Sequence, residues 1–483
     1  MLQKKGNQKV NEDKYKLPEG WLWTTVSQVA EIITGNTPSK SDKSNYGGFL
    51  PWVKPPQLDS ENPIKDTPEK LSKKGAKFAR ILPKDSVLVS CIGLLGKVGL
   101  AGCELATNQQ INSLIFSNIV LPRYGYYYCR SKYFKDWLQS EASATTLSIV
   151  NKGRFSEVPI PLPPFNEQKR IVQKIENLFV RLTKTKQELS KILSLLKKFR
   201  QSALAKAFSG DLTKEWREQQ EDLEPALKLL ERIREERKKK LGKKYKEAEP
   251  IDISDLPELP EGWKWAQMGE CCLVNPRHPS DILPSDAQVS FVPMPAIDAE
   301  VGAIIKLETK PLKKVIKGFT HFINGDVLFA KITPCMENGK AAIAKNLVNG
   351  VGCGTTELHV LRPLGAIFSE YIYYYIRQQS FRDRAEANMT GTAGQLRVPV
   401  DFIKNEILPL SSLQEQKEIV NKIQDFFAQA DTIEKSVKIA QTHCEKLAKS
   451  ILAKAFRGEL VEQDPNDEPA ERLLKELSAK RRG

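Results

Sequence analysis

The sequence predicts an α+β protein in which two mixed α/β domains are joined by two long helices that pair as an antiparallel coiled coil. Three observations predict this fold. The chain repeats itself, each half carries short apolar runs between Gly- and Pro-rich turns, and each half ends in a long segment with heptad spacing. Because the two halves match in order, the repeat also predicts an internal pseudo-twofold relation between them.

The repeat covers nearly the whole chain. Leu17–Trp21 recurs 242 residues later as Leu259–Trp263, and Glu167-Gln168-Lys169 recurs 248 residues later as Glu415-Gln416-Lys417. Further matches lie between and after these two, in the same order. They pair Phe78 and Asp85 with Phe319 and Asp326, Tyr126–Arg130 with Tyr373–Arg377, Leu204–Phe208 with Leu452–Phe456, and Glu224–Ala226 with Glu468–Ala470. Ordered matches of this kind indicate a tandem duplication.

The duplication divides the chain into five segments. The globular segments contain strand-like runs such as Ser86–Ile92 and Asp326–Ile332, and helix-like stretches without Gly or Pro at Tyr126–Leu138 and Tyr371–Ala385. A charged stretch with a short predicted helix separates the first long helix from the second globule. The predicted segments are a first domain at 1–163, a central helix at 164–212, a charged linker at 213–258, a second domain at 259–411, and a C-terminal helix and tail at 412–483.

The two long segments predict rods. Asn166 to Phe208 contains no Gly or Pro, Asn166 is a candidate N-cap, and Gly210 and Gly458 are candidate stops. About 43 helical residues at roughly 1.5 Å each give a length near 60 Å. A helix hairpin within a larger core, or a zipper between two copies, would show similar spacing. The predicted seam consists of Ile171, Ile175, Leu178, Leu182, Leu189, Ile192, Leu196 and Phe199, and of Ile419, Ile423, Phe426, Ile433, Val437, Leu447 and Ile451.

Composition limits the kind of partner. The 483 residues include 74 Lys and Arg against 59 Asp and Glu, a formal charge of +15 that favours a polyanion. Mean hydropathy is −0.40, and no apolar run approaches the roughly 18 residues needed to span a bilayer. The first residues resemble no secretory signal, and eight scattered cysteines do not suggest a disulfide framework. We therefore expect a cytoplasmic protein with no membrane partner.

Catalytic signatures were sought and not found. Gly93–Val98 lacks the spacing and the Ser or Thr of a phosphate-binding loop, and no Cys-x-x-Cys pair occurs. The four histidines are scattered, which argues against a zinc site. Pro163-Pro164-Phe165 superficially resembles a methyltransferase loop but lacks its Asp or Asn, and is better explained as the stop before the helix. The sequence predicts a chain with no active site, no metal and no cofactor of its own.

Two similar globules on a spacer suit recognition of two sites a fixed distance apart. Equivalent groove faces of duplex DNA recur about every 34 Å, so a stalk near 60 Å could hold two such domains one to two turns apart. Residues 1–165 contain 22 basic and 14 acidic residues, whereas residues 249–413 contain 16 basic and 19 acidic residues. The segments Ile33–Leu71 and Val274–Leu312 scarcely resemble each other. Divergent inserts on a shared framework predict an asymmetric target.

These features together resemble the specificity subunit of type I restriction–modification systems along nearly the full chain. The resemblance rests on motifs in both halves. They are Leu-Pro-Glu-Gly-Trp opening each half, Gly35–Ser39, Tyr46–Trp52, Ala106–Gln110, Gly325–Leu328, Ile332–Cys335, Pro-Leu-x-x-x-x-Glu-Gln-Lys before each rod, and Ala-Phe-x-Gly-[Asp/Glu]-Leu closing it.

The resemblance implies two target-recognition domains, each recognising half of a bipartite DNA site, separated by a helical pair. It implies double-stranded DNA, two modification (methyltransferase) subunits and restriction (motor-nuclease) subunits as partners. Those partners would bind S-adenosylmethionine, ATP and Mg²⁺, methylate adenine, and translocate and cleave DNA. This chain would be a non-catalytic specificity subunit.

We predict DNA contacts on both domains. Arg130 and Arg377 have an alternative, an ion pair with Asp136 and Asp383 or a hydrogen bond to a strand carbonyl. Thr and Ser in turns are often local caps. Trp21 and Trp263 are expected in the core. Two rival functions remain open, an autonomous DNA-modifying enzyme and a coiled-coil adaptor that does not bind DNA. The predicted DNA-binding residues are Thr37, Ser39, Lys40, Lys54, Lys73 and Lys97 on the first domain, and Lys331, Thr333, Lys340, Arg377 and Arg382 on the second.

Overall fold

The structure is a computed structural model, and it divides into two compact units. Unit 1 comprises Met1–Ser190 with Lys438–Gly483, and unit 2 comprises Lys191–Val437. Each unit therefore contains one globular part and one half of each long helix. The structure describes residues 15–480 apart from Glu61, 143–147, 243–246, 248–249, Ser280 and Ala393. The predicted leaderless N-terminus and the basic run at 243–246 lie outside the described residues.

Unit 1 is built on two four-stranded sheets. One has the order β2-β9-β6-β7 and is antiparallel, and the other has the order β4-β3-β8-β5, with β3 and β8 parallel. A separate antiparallel pair joins β1 to β10. The strands are β1 (Leu22–Thr25), β2 (Ala30–Thr34), β3 (Tyr46–Val53), β4 (Lys70–Leu71), β5 (Ile81–Leu82), β6 (Val87–Ser90), β7 (Val98–Leu100), β8 (Leu105–Thr107), β9 (Ile111–Phe116) and β10 (Pro159–Leu162).

Unit 2 repeats this topology strand for strand. Its sheets have the orders β12-β21-β18-β19 and β16-β13-β20-β17, β13 and β20 are parallel, and β11 pairs with β24. Two short hairpins, β14 with β15 and β22 with β23, are additional. The strands are β11 (Lys264–Gln267), β12 (Cys272–Val274), β13 (Gln288–Val292), β14 (Ile297–Asp298), β15 (Ala303–Ile304), β16 (Glu308–Pro311), β17 (Thr320–Ile323), β18 (Val327–Ala330), β19 (Ala341–Ile343), β20 (Val351–Gly354), β21 (Leu358–Pro363), β22 (Thr390–Thr392), β23 (Gln395–Arg397) and β24 (Ile407–Leu410). The predicted mixed α/β repeat is confirmed.

The helices also fall into matched pairs. The two longest are α6 and α14, and they begin directly after β10 and β24. The helices are α1 (Val26–Val29), α2 (Lys73–Ala76), α3 (Pro122–Arg130), α4 (Lys132–Ser140), α5 (Lys152–Ser156), α6 (Phe165–Phe208), α7 (Lys214–Glu218), α8 (Ala226–Leu241), α9 (Met268–Cys271), α10 (Leu312–Val315), α11 (Ser369–Ile376), α12 (Gln379–Ala387), α13 (Val400–Asn405), α14 (Leu413–Arg457) and α15 (Ala470–Lys480).

Capping residues and glycines mark the termini of the long helices. Helix α6 begins at Phe165, so Asn166 lies inside its first turn and is not the predicted N-cap. The start of α14 is capped by Ser412, whose Oγ accepts from Glu415 N at 3.1 Å. Gly210 and Gly458 follow the two helix ends with φ of +82° and +76°. Glycine tolerates this left-handed conformation, which terminates the helix.

Within each unit the two long helices run in opposite directions. In unit 2, Arg200 Nη2 lies 2.5 Å from Asp431 Oδ1, and Thr213, just beyond the end of α6, bonds to Glu415 in the first turn of α14. In unit 1, Ile171 and Ile175 near the start of α6 share a buried cluster with Phe456 at the end of α14. The predicted antiparallel helix pair is confirmed in both units.

The burial of the predicted seam is uneven. Its residues near the helix ends are buried, including Ile171, Ile175, Ile419 and Ile423, whereas Phe199, Ile433 and Leu447 are 42%, 47% and 51% exposed. Along α14 between 430 and 451, the residues that are not exposed are 430, 434, 437, 440, 441, 444, 448 and 451. The packed stripe thus places Glu434 and Ala448 where the heptad pattern had suggested Ile433 and Leu447. Leu178, Leu182, Leu189, Ile192 and Phe426 are half-buried, and Leu196, Val437 and Ile451 are buried.

Each unit is completed by the segment that follows the far end of a long helix. In unit 1, α15 buries Ala470 and Leu477 in the core, and Ala470 N donates to Gly20 O at 3.0 Å. In unit 2, α8 buries Leu229 and Ile233, and Ala226 N donates to Gly262 O at 2.9 Å. The segment predicted as a charged linker therefore contains a packed amphipathic helix, and the spatial units do not follow the linear segments.

Hydropathy along the described helices is too low for membrane insertion. None of the helices in the described ranges combines the length and apolar character needed to cross a bilayer.

Substitution of Glu415 by alanine should destabilise unit 2. The carboxylate is 1% exposed and accepts hydrogen bonds from Trp263 Nε1 at 2.8 Å, Thr213 Oγ1 at 2.7 Å and Arg217 Nη1 at 2.6 Å. Removing it leaves a largely buried cation and two donors without an acceptor, which costs about 3 kcal/mol. Urea unfolding and amide exchange of residues 413–423 measure this loss.

The exposed Glu218→Ala in α7 is the matched control and should leave stability unchanged. Adding Arg217→Met to Glu415→Ala should recover part of the loss, because the second change removes the uncompensated cation. Equal stability of Glu415→Ala and the parent would contradict this account.

Candidate nucleic-acid interface

A buried tryptophan–glutamate bond fixes each globule to a long helix. Trp21 Nε1 donates to Glu167 Oε2 at 2.9 Å, and Trp263 Nε1 donates to Glu415 Oε2 at 2.8 Å. Both indoles are buried, as predicted, and a buried indole N–H requires an acceptor. The repeated Leu-Pro-Glu-Gly-Trp and Glu-Gln-Lys motifs are therefore two sides of one contact.

The neighbouring glutamine ties the same helix to the loop before the tyrosine-rich helix. In unit 1, Gln168 accepts from Leu121 N at 2.9 Å and donates to Ile119 O at 2.9 Å. In unit 2, Gln416 accepts from Phe368 N at 3.1 Å and donates to Ala366 O at 3.4 Å. Because both glutamines are fully buried and satisfied, they hold α3 and α11 in equivalent positions.

The tyrosine-rich helices are held in place through phenolic hydroxyls. Tyr124 and Tyr371 donate to the carbonyls of Pro161 and Pro409, in both cases at 2.7 Å. Burial raises the pKa of the Tyr124 phenol well above its ordinary value, so the hydroxyl stays protonated and can donate. These bonds connect each tyrosine-rich helix to the strand that leads into the long helix.

The arginine that follows each tyrosine triplet contacts a tyrosine. Arg130 Nη1 donates to Tyr126 Oη at 2.9 Å, and Arg377 Nη1 donates to Tyr373 Oη at 2.8 Å. The alternative ion pairs with Asp136 and Asp383 are wrong, since those carboxylates contact Lys132 and Gln379 instead. The reason is geometric: Lys132 and Gln379 lie four residues before those carboxylates on the same helix, whereas Arg130 ends α3 and Arg377 directly follows α11.

The predicted residues of the first domain occupy the loops around β3. Thr37 Oγ1 donates to Gln109 Oε1, Ser39 Oγ lies 2.7 Å from Ser41 Oγ, and Lys40 is exposed. Lys54 pairs with Glu69 and lies 4.6 Å from the Trp52 ring, and Lys73 lies 5.8 Å from the Phe49 ring. Lys97 is half-buried at the start of the hairpin strand β7.

Asn36, which the sequence analysis did not single out, organises this surface. Its amide N donates to Thr107 O at 2.9 Å, its Nδ2 donates to Phe78 O at 2.5 Å, and its Oδ1 accepts from Arg80 N at 3.1 Å. A Cβ on the preceding Gly35 would lie 2.2 Å from Thr107 Oγ1, so the loop can approach β8 only with glycine there. The Gly35–Ser39 and Ala106–Gln110 motifs are thus adjacent in the fold. The sequence contains both motifs but does not indicate that they touch.

Four of the five predicted residues of the second domain lie along one loop region. Ala330 N donates to Lys340 O at 2.9 Å, and a Cβ on Gly339 would lie 2.9 Å from Arg382 Nη1. Lys340 Nζ contacts Met294 O at 3.2 Å, and in the described part of the chain Thr333 Oγ1 is buried without a hydrogen-bond partner. Lys331 is half-buried near the start of this loop.

Arg377 and Arg382 are engaged with protein carbonyls. Arg377 Nη2 donates to Ala299 O at 3.2 Å. Arg382 Nη1 donates to Glu337 O at 3.2 Å, and burial lowers its pKa from the ordinary value. Both guanidiniums keep N–H groups for a further acceptor, because each carries five donors.

Metal-binding geometry is not found in these surfaces. Among the described residues no group of three or more His, Cys, Asp or Glu side chains could hold a metal ion. The eight cysteines are free, and burial raises the pKa of Cys129 and Cys272 well above the ordinary value, so these thiols are poor nucleophiles.

Comparisons with known proteins place the chain in a family. The model of the type I restriction modification DNA specificity domain matches residues 18–193 and 260–441, more than half of the chain, in two copies. These two copies coincide with the two repeats of the fold. The chain belongs to the family of type I restriction–modification specificity subunits.

Individual relatives agree with this assignment. The chain is 35% identical to the EcoAI specificity subunit of Escherichia coli over 330 residues, 59% of this chain and 55% of the relative. It is 27% identical to the EcoKI specificity subunit of Escherichia coli strain K12, over 96% of both chains. The alignment thus spans about half the length of EcoAI and of the similar EcoEI subunit, and nearly all of EcoKI.

Solved structures show the same fold. A chain from a type I R-M assembly, described as the structural basis of complex assembly and conformational transition, has a TM-score of 0.67 at 20% identity. It covers 92% of this chain and 100% of its own. The HsdS subunit from Thermoanaerobacter tengcongensis has a TM-score of 0.54 at 20% identity, covering 93% of this chain and 99% of its own.

Acid should destabilise unit 2 through His359. The imidazole is 1% exposed, its Nε2 lies 2.8 Å from Val398 O, and its Nδ1 lies 3.1 Å from Asn275 Nδ2, as in a neutral ring. Burial, with Lys331 nearby, lowers its pKa from 6.5 to about 4. The unfolded state therefore binds the proton more tightly, so this stability is complete above pH 6.5 and decreases as the pH falls toward 4, by ~3 kcal/mol.

The measurement is urea unfolding of the full chain at several pH values between 4 and 7. His359→Gln should flatten the pH dependence, whereas His443→Gln, on an exposed face of α14, should leave it unchanged. A His359→Gln variant with the parent's pH dependence would show that another group controls the transition.

Proposed function

We propose that this chain is the sequence-specific DNA-recognition subunit of a type I restriction–modification complex and that it recognises a bipartite, asymmetric site. The observation that carries this proposal is the combination of a repeated framework with unlike surface loops. The Trp–Glu, Gln and Tyr contacts are the same in both units, whereas corresponding loops differ. The loop between β6 and β7 spans 91–97 and its counterpart between β18 and β19 spans 331–340. After β2, Thr37 contacts Gln109, whereas after β12 His278 N donates to His321 Nδ1 at 3.0 Å. Similar supports would give both domains a similar approach to the duplex, and unlike loops would contact unlike bases.

Charge supports duplex DNA as the target. Residues 1–165 carry a formal charge of +8, from 22 basic and 14 acidic residues. Lysine and arginine contacts to phosphates set register and orientation, while base-edge contacts carry sequence information. Thr37, Ser39, Lys40 and Lys73 are proposed for the first half-site, and Lys331, Thr333, Lys340 and Arg382 for the second. Lys54, Lys97 and Arg377 remain proposed contacts, although Lys54 and Arg377 also bind protein groups.

We propose that catalysis belongs to partner subunits. Two modification subunits would bind S-adenosylmethionine and methylate adenine, and restriction subunits would use ATP and Mg²⁺ to translocate and cleave DNA. The support is the lack of a phosphate loop, a methyltransferase motif or a zinc motif in the sequence, together with the names of the relatives. Since the proposed target is DNA, the proposed location is the cytoplasm.

Methylome sequencing tests the function directly. A host lacking other adenine methylation would express this chain with its cognate modification subunits. The expected outcome is new adenine methylation at an interrupted, asymmetric motif. A continuous palindrome or no new modification would contradict the proposal. Methylation by the purified chain alone would instead support an autonomous enzyme, and the absence of duplex binding even with partner subunits would support an adaptor.

Exchange of one domain tests the bipartite arrangement. Replacing residues 17–163 with the corresponding segment of a specificity subunit of different target should change one half of the motif and leave the other half and the spacing intact. Replacing residues 259–411 is the matched reciprocal control. Simultaneous change of both halves in either exchange would contradict independent recognition.

A further inference from the structure

An exposed phenylalanine recurs at the same topological position in both units. Phe78 lies between α2 and β5, and Phe319 lies between α10 and β17, so each precedes an edge strand of the corresponding four-stranded sheet. Their rings are 60% and 38% exposed. Single exposed apolar residues are common on protein surfaces, but two at matched positions in a repeat require a shared reason.

Basic residues flank both rings in the sequence. Residues 70–84 contain six Lys or Arg and no Asp or Glu, and residues 309–325 contain four Lys and no Asp or Glu. Carboxylates outside these two segments neutralise part of the charge, since Lys70, Lys74, Lys310 and Lys313 pair with Asp66, Asp42, Glu308 and Asp286. Lys77 directly precedes Phe78, Lys317 lies two residues before Phe319, and both lysines are exposed. An apolar group within a cationic surface suits a ligand that presents phosphates beside apolar faces, which is the chemistry of duplex DNA.

The structure fixes the backbone of Phe78 and the ring of Phe319. Phe78 N donates to Gly75 O at 3.1 Å, and Phe78 O accepts from Asn36 Nδ2 at 2.5 Å, which connects this residue to the Gly35–Ser39 loop. The Phe319 ring packs edge-on against Phe291 with centroids 5.0 Å apart, and Lys310 Nζ lies 3.5 Å from the Phe291 centroid. A fixed ring loses little conformational entropy on binding.

We propose that Phe78 and Phe319 are a matched pair of apolar DNA contacts, one on each recognition domain. Because the two domains share this residue while their neighbouring loops differ, the rings contact the apolar faces of deoxyribose, which are the same in any sequence, and do not select bases. They strengthen binding to the target and to non-target DNA alike. This inference rests on the proposed function, since it names contacts made within the same DNA interface.

The test compares Phe78→Ala, Phe319→Ala and the double variant with the parent, each in full-length chain co-purified with its modification subunits. Fluorescence anisotropy at several salt concentrations measures binding to a duplex that carries the methylated motif and to one that lacks it. Each single change should weaken binding to both duplexes about tenfold, and the double change about a hundredfold. The dependence of affinity on salt should stay unchanged, because no phosphate contact is lost.

Three controls make the result specific. Lys77→Ala and Lys317→Ala should each lower the salt dependence by about one counterion, which separates phosphate contacts from apolar contacts. Phe78→Trp should retain binding within about threefold, because an aromatic face remains. Ile253→Ala changes a residue that is 60% exposed between Asp252 and Asp255, and it should bind as the parent does.

The outcomes separate this inference from the proposed function. If the parent complex binds no duplex, the proposed function fails. If the parent binds and the alanine variants bind equally well, or lose only their preference for the motif, the inference alone is overturned. Normal thermal unfolding of the variants with impaired assembly of the modification subunits would also overturn it, since the rings would then contact a protein partner.

Discussion

A buried carboxylate at the start of each long helix is the constraint on which the rest of the structure depends. Glu167 and Glu415 are both 1% exposed, and a carboxylate removed from water in this way needs several donors. One donor is the tryptophan that opens the globule, and another comes from the segment beyond the end of the opposite long helix. That segment supplies Gln463 to Glu167 and Arg217 to Glu415. Each recognition domain is therefore completed by residues that follow the end of the long helix from the other half of the chain.

The two buried glutamates differ in the charge of their hydrogen-bond partners. Glu415 has the guanidinium of Arg217 at 2.6 Å, whereas Glu167 has the amide of Gln463 at 3.3 Å and the Trp21 indole. Burial raises the pKa of Glu167, and its hydrogen bonds only partly oppose this. Arg170, which could have neutralised Glu167, pairs with Asp467 instead. A shared framework has thus kept its geometry while its charges diverged, which is possible because hydrogen bonds to tryptophan and glutamine maintain the fit without an ion pair.

The sequence predicted the repeat, the two long helices and the mixed α/β domains because each rests on a local or periodic signal. It did not predict the phase of the packed stripe on α14. Two stripes with alternating spacings of three and four residues can be drawn along α14. Both contain Ala430, Val437, Cys444 and Ile451, and they differ in the residues between these four. Only tertiary packing decides between Ile433 and Glu434, and it leaves Ile433 47% exposed. The sequence also did not predict that α8 packs against the core. Its many charged residues suggested a solvated linker, although Leu229 and Ile233 form an apolar face.

The candidate interface was predictable in position but only partly in its residues. Lysines and arginines were chosen for charge, but local sequence does not show which of them a neighbouring carboxylate or carbonyl already occupies, as Glu69 does for Lys54 and Ala299 for Arg377. Phe78 and Phe319 were matched in the repeat, yet a phenylalanine is by default assigned to the core. What distinguishes them is exposure within an acid-free basic segment, and exposure follows from the fold. The shared exposed rings and the divergent loops then separate two tasks: common residues supply affinity to any duplex, and differences between the loops must account for selectivity, because a contact present in both domains cannot discriminate two unlike half-sites.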